Sequence, residues 1–188
     1  MSITKLKNPN TSLYNDLKKI ILGDNFSWNY MKSNTWFDIN PAHRLINDPE
    51  NDNTFQKSSL HHHPFLLRSD FVNLYAKVSS PYMDEVNKMY CEIFNANKEF
   101  MKSFNMMCRC VVNSVQPYDG PDNKTREHVD HDFPHKNMLI YLTDAGGSTF
   151  VEGEEFAPEE DDVIIFEGLH WHQLPKHKRR VVLVMTYI

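Results

Sequence analysis

The segment Glu127-His128-Val129-Asp130-His131-Asp132 places an imidazole and a carboxylate two positions apart. On a β-strand, residues i and i+2 point to the same side, so a strand here projects His128 and Asp130 together. Two more histidines, His170 and His172, follow about 40 residues downstream. One of them would complete a set of two imidazoles and one carboxylate on a single ion. Such a set suits iron(II) and leaves the other coordination positions open for a cosubstrate and O₂. His-x-Asp alone recurs by chance in a chain with ten histidines, and its plain alternative is a solvated turn.

The order of features after this segment gives it weight. An apolar run with a tyrosine, Met138 to Leu142, comes first. Gly146-Gly147-Ser148-Thr149-Phe150 follows, then an acidic turn into Val163-Ile164-Ile165-Phe166. His170 and His172 come next, and Arg179-Arg180 opens the apolar run that ends the chain. In this order and with these residues, the sequence resembles the 2-oxoglutarate and Fe(II)-dependent dioxygenases, in their prolyl-hydroxylase-like branch. The resemblance covers Cys108 to Ile188. It rests on His128-Val129-Asp130, Tyr141-Leu142-Thr143, Gly146-Gly147-x-Thr149, Asp162 to Phe166, His172 and Arg180. Phe26-Ser27-Trp28-Asn29-Tyr30 also resembles small oxygenases encoded by bacterial viruses.

The resemblance implies a double-stranded β-helix, a jelly-roll-like barrel supported by helices. It implies Fe(II) held by His128, Asp130 and a distal histidine, with 2-oxoglutarate and O₂ as cosubstrates and ascorbate in support. It further implies a hydroxylase that couples 2-oxoglutarate decarboxylation to substrate oxidation. His172 is favoured over His170 as the distal ligand by its spacing from Phe166, although the spacing of His170 to Arg180 also has family precedent. The two share parity, so the other is expected to support the ligand set.

Arg180 is the expected anchor for the far carboxylate of 2-oxoglutarate, since a guanidinium fork makes two parallel bonds to a carboxylate. Arg179 and Arg180 are adjacent, so on a strand they point opposite ways and only one can serve. Tyr141 sits where the family places a hydroxyl that also meets 2-oxoglutarate; a buried tyrosine with only a local partner is the plain alternative. His131, His135 and His177 are expected to stay off the metal. Two departures from the family pattern are the short loop between His172 and Arg180, with Pro175 inside it, and Thr143 in place of an asparagine.

The elements that must position these residues read as α+β with a mainly β core. Cys108 to Val115, Met138 to Leu142, Ser148 to Val151, Val163 to Phe166 and Val181 to Tyr187 are short β-rich runs separated by turn residues, a spacing that suggests a sandwich or barrel. Residues 1–105 form a mixed supporting region. Leu13, Leu17, Ile20 and Ile21 predict a helix over Ser12 to Leu22, ended at Gly23. A second helix is predicted from Pro81 to Phe104, with Ser80 as N-cap and an apolar stripe through Tyr82, Val86, Met89, Ile93, Phe100 and Phe104. The polar stretch 47–59 reads as a surface loop, and His61-His62-His63 as a surface or partly packed cluster.

The length of 188 residues fits a single domain over 1–188, with 108–188 as its metal-binding core. Three cysteines, an odd number, argue against a disulfide scaffold and for buried thiols at Cys108 and Cys110. No apolar stretch reaches membrane length, and no signal-peptide core opens the chain, so a cytoplasmic setting is expected. A net charge of −5 disfavours a nucleic-acid partner, leaving a protein side chain or a small molecule as the expected substrate. Competing readings are a cupin-like isomerase, a zinc-binding hydrolase on a similar barrel, and a non-catalytic binding domain. The first two have no need of Arg180 as an anchor, and the third predicts no iron and no succinate production.

Overall fold

The computed structural model describes residues 3–31, 60–67, 77–78, 80–121, 123–125 and 127–188. The expected loop at 47–59 lies outside the described residues. In chain order the elements are β1 (Thr4–Leu6), α1 (Ser12–Leu22), β2 (Asn29–Met31), β3 (Leu60–Leu67), β4 (Lys77–Val78), α2 (Met83–Ala96), β5 (Met107–Val115), β6 (Lys136–Tyr141), β7 (Thr149–Val151), β8 (Glu154–Phe156), β9 (Val163–Phe166), β10 (His170–His172) and β11 (Arg180–Tyr187). An eight-stranded antiparallel sheet runs β1-β9-β6-β11-β5-β3-β2, with β4 on β3. A smaller sheet runs β10-β7-β8. The result is the expected mainly β barrel of two sheets with helices packed on the larger one.

Parity on the central strands explains this layering. Val181, Leu183, Met185 and Tyr187 of β11 join Met138 and Ile140 of β6, Cys110 and Val112 of β5, and the buried stripes of the helices in one apolar cluster. The alternate residues Val182 and Val184 join Val111, Leu139, Tyr141, Ile164 and Phe166 in a second cluster that also holds Val151 of the small sheet. A strand buried on both faces reads as a continuous apolar run, which is why β11 carries no alternation in its sequence. Arg180 shares parity with Val182, so it belongs to the inner face between the sheets. Arg179 faces the other way, and its Nη2 donates to the Leu22 carbonyl at the end of α1.

Helix α1 matches its expected bounds, with Thr11 as N-cap accepting from the Tyr14 amide. Helix α2 is shorter than predicted, spanning Met83–Ala96 rather than Pro81 to Phe104. Ser80 does not cap it as an N-cap; its hydroxyl accepts from the Tyr82 amide instead. The C-terminal end falls at Asn97, whose amide bonds the Ile93 carbonyl and both backbone groups of Lys7. A side chain that satisfies helix-end carbonyls and a neighbouring segment at once favours termination there. Phe104 still packs, against Phe94 and Tyr187, but beyond the helix.

The three histidines 61–63 lie within β3 and are partly packed, as expected, His61 and His62 half-buried and His63 buried. His63 is buried, its Nε2 bonded to Ser80 Oγ at 2.8 Å and its Nδ1 to the Ser27 carbonyl at 2.9 Å. Cys108 and Cys110 are buried thiols, as expected, and burial pushes Cys110 up to about 12. Among the described residues no helix is long and apolar enough to cross a membrane.

Candidate metal centre

The segment carrying His128 and Asp130 is not a strand of either sheet. It runs alongside β10 through isolated bridges, Lys124 to Gln173 and His128 to His170. Backbone hydrogen bonds in both directions between His128 and His170 lock this register. Thr125 adds a second tie, since its hydroxyl accepts from the His172 amide at 2.8 Å. The expected juxtaposition therefore arises by pairing with β10 rather than by strand alternation alone.

His170 and His172 both project to the inner side of β10, as their shared parity requires, and their rings lie 5.3 Å apart. Trp171, between them, points outward and stacks on Phe150 at 3.8 Å. The nitrogens of His128, His170 and His172 that could ligate an ion all lie within 4.8 Å of one another. The Asp130 carboxylate joins the group through His170, with Oδ2 at 3.6 Å from Nε2. Its other oxygen, Oδ1, accepts from Arg109 Nη1 at 2.9 Å. Asp130 thus meets the imidazole group through one oxygen and a guanidinium through the other.

Where His170 Nδ1 meets the Gly168 carbonyl at 3.1 Å, His172 is held by side chains. Its Nδ1 is hydrogen-bonded to Thr149 Oγ1 at 2.8 Å, and that hydroxyl is bonded to Tyr141 Oη at 2.6 Å. Arg180 lies on the same inner face, 4% exposed, with Nη1 donating to the Gln173 carbonyl at 2.8 Å. Its Nε is buried with no hydrogen-bond partner, and among the described residues Arg180 forms no ion pair. A buried guanidinium without a carboxylate is costly and therefore uncommon. Tyr141, at 1% exposure, is pushed up to about 12 by burial.

Protonation states follow from these surroundings. Burial would raise Asp130, but Arg109 first, and then His170, His128 and His131, hold it far below the usual carboxylate range. Burial, then the charge of His128, draws His170 down to about 4, against the pull of Asp130. Burial, then Arg180, lowers His172 well below its ordinary value. An ionised carboxylate beside neutral imidazoles is the state a divalent ion requires of its ligands. The residues present therefore fit a metal, and the unmatched Arg180 fits a carboxylate.

The lowered His170 has a consequence for the metal-free protein. Its ordinary value is 6.5, so as pH falls the unfolded chain takes up this proton before the folded one does. The stability is complete above pH 6.5 and declines as pH falls toward 4, by about 3 kcal/mol in all. Asp130 contributes in the same direction only at lower pH, because its folded value lies below its unfolded one. Urea unfolding of the EDTA-treated protein at pH 7 and pH 4.5 measures the difference. Equal midpoints at the two pH values would contradict a neutral, buried His170.

Two solved structures share this architecture. An oxidoreductase of the 2OG-Fe(II) oxygenase family from Burkholderia pseudomallei superposes with a TM-score of 0.52 and 14% identity, over 98% of this chain and 94% of that one. A prolyl hydroxylase from Trichoplax adhaerens, in complex with a hypoxia inducible factor oxygen degradation domain peptide fragment, gives 0.53 and 12%, over 99% and 83%. The chain shares the double-stranded β-helix fold of these two enzymes. No protein-family model matches the sequence, and no curated protein matches it. Within this fold, the small sheet and the segment running beside it carry the imidazoles, while the large sheet carries Arg109, Tyr141 and Arg180.

Three contributors were missed in the sequence. Arg109 is a lone charge in the otherwise uncharged run Met107–Val115, and its parity with Val111 was the available signal. Thr125 and Gln173 act largely through backbone pairing, which no side-chain pattern announces. Thr143, a departure from the family pattern, ties the two central strands together. Its hydroxyl donates to the Arg179 carbonyl and accepts from the Val181 amide, both at 3.0 Å.

Proposed function

We propose that this chain is a 2-oxoglutarate- and Fe(II)-dependent dioxygenase, acting as a hydroxylase on a protein side chain or a small molecule. The observation that carries this reading is Arg180, a buried guanidinium lacking a carboxylate, on the same inner face as three imidazoles that Asp130 joins through His170. A cupin-like metalloprotein or a zinc hydrolase would use the same ligands but has no use for that cation. The fold shared with the two oxygenases supports the same choice. The net charge of −5 supports a substrate other than nucleic acid.

His128, Asp130 and His170 are the residues that would hold Fe(II). The sequence spacing favoured His172; both rings have Nδ1 hydrogen-bonded, His172 to Thr149 and His170 to the Gly168 carbonyl, so the choice turns on the carboxylate. His170, by contrast, is the imidazole nearest the Asp130 carboxylate. Bound iron would supply the activation of O₂, one atom of which enters succinate as CO₂ leaves while the other enters the substrate. Arg180 receives the distal carboxylate of 2-oxoglutarate and fixes its depth in the barrel. Tyr141, Thr149 and His172 form a hydrogen-bonded row that orients the cosubstrate. Phe166, against the His170 ring, and Val182 exclude water from the inner face.

The test uses the wild-type protein. Stripped with EDTA, it should form no succinate from 2-oxoglutarate. Addition of Fe(II) and ascorbate should start slow, substrate-independent succinate formation. A protein that binds Fe(II) and yet binds 2-oxoglutarate no better than its metal-free form would overturn the reading in favour of a cupin-like metalloprotein.

A further inference from the structure

We propose that Arg109 is a positioning residue that reserves one oxygen of Asp130, so that this carboxylate offers a metal only its other oxygen. The inference rests on the iron(II) reading above and concerns what keeps the coordination positions open.

The geometry divides the carboxylate cleanly. Oδ1 accepts from Arg109 Nη1 at 2.9 Å, and Oδ2 lies 3.6 Å from His170 Nε2. Arg109 comes from β5, where it pairs across with Thr186 of β11 and shares parity with Val111 of the inner cluster. It therefore reaches Asp130 from the wall of the large sheet, opposite the small sheet that carries His170. The side chains are 23% and 13% exposed, so the pair is partly shielded from solvent. A guanidinium keeps its charge at every pH at which the protein is folded, and its donors are fixed in a plane. The bond to Oδ1 is accordingly permanent, which a lysine or a hydroxyl would not guarantee.

A free carboxylate can grip a metal with one oxygen or two. With two histidines and one carboxylate oxygen, three of six positions remain for 2-oxoglutarate and O₂. Two oxygens would leave only two positions, too few for a chelating cosubstrate plus O₂. Arg109 prevents this by occupying Oδ1. The alternative is that Arg109 merely staples the 124–131 segment to β5. The two roles differ in sign. A staple, when cut, loosens the metal. A removed block lets the carboxylate hold the metal at least as well while crowding out the cosubstrate.

The experiment compares wild type, Arg109→Met and Arg109→Lys, using Mn(II) as the probe metal. Mn(II) affinity is measured by titration calorimetry, open positions by water-proton relaxation, and 2-oxoglutarate affinity on both metal-free and Mn(II)-loaded protein. For Arg109→Met, Mn(II) should bind as tightly as in wild type or more tightly. Relaxation enhancement should fall by about a third, one open position of three. Affinity of the loaded protein for 2-oxoglutarate should fall about tenfold, with no change in the metal-free protein. Arg109→Lys, which keeps a donor near Oδ1, should recover most of the relaxation.

If Arg109→Met matches wild type in all three readouts, or loses Mn(II) and 2-oxoglutarate together, the inference fails while the oxygenase reading stands. If wild type binds no Mn(II), the metal reading fails, and this inference with it.

Discussion

Asp130→Ala abolishes Fe(II)-dependent succinate formation and lowers Mn(II) affinity at least about 100-fold, beyond the cost of losing a mere supporting contact. The variant removes the carboxylate that, among the described residues, meets the imidazole group, and leaves three imidazoles without it. It should still fold. Asp130 lies on an irregular segment whose register is held by the backbone bonds of His128 and Thr125 to β10, and these survive the change. Arg109, left without its partner, is exposed enough to be rehydrated. Thermal unfolding of the metal-free variant separates loss of the ion from loss of the fold. His170→Ala should behave like Asp130→Ala. His172→Ala should lose less Mn(II) affinity than either, about 10-fold, because His170 rather than His172 lies beside the Asp130 carboxylate. Normal turnover by Asp130→Ala would refute the ligand set. Loss of the metal in His172→Ala, with retention in His170→Ala, would exchange the two histidines.

Arg180→Met weakens 2-oxoglutarate binding by about 1.5–3 kcal/mol, the range for hydrogen bonds to charged groups. Metal affinity stays as it was, since Arg180 touches Gln173 and no candidate ligand through a hydrogen bond. The fold should not suffer, because the substitution removes a buried charge whose Nε has no partner and inserts a flexible apolar chain of similar length. Arg180→Lys should not restore binding, as an ammonium cannot make two parallel bonds to a carboxylate. Arg179→Met is the control. Arg179 donates to the Leu22 carbonyl at 3.2 Å, so its loss should cost about 1 kcal/mol of stability and leave 2-oxoglutarate affinity alone. Calorimetry of the three variants decides the matter. If the anchor role falls to Arg179, the face assigned to each side chain of β11 is wrong.

How much of this could be read from the sequence depends on how local each signal is. Helix α1 was readable end to end because its apolar spacing, its Thr11 cap and Gly23 lie within one short window. Strand β9 was readable because four apolar residues sit between an acidic turn and a glycine. Strand β3 was not, since three histidines and Pro64 hide it. Its register shifts between Pro64 and Leu66, a break that lets proline sit in a sheet. Strands β8 and β10 span three residues each and owe their existence to β7, a partner that no local pattern names. At the site, residue types and spacing pointed to His128, Asp130, His170, His172, Tyr141 and Arg180, and the structure brings the histidines and Asp130 together at one end of the small sheet. Spacing could not rank His170 against His172. That ranking rests on which ring lies beside the Asp130 carboxylate, and a contact of this kind forms only when distant segments pair.

The opposed directions of Arg179 and Arg180 tie the chemistry to the register of β11. A slip of one residue along β5 and β6 would invert the face each guanidinium serves, sending the first toward the cosubstrate and the second toward α1. Pairing on both sides and two different apolar faces hold that register. An extra residue in the exposed turn at 176–178 should therefore be absorbed there, while the same insertion within β11 should displace the guanidinium from the inner face.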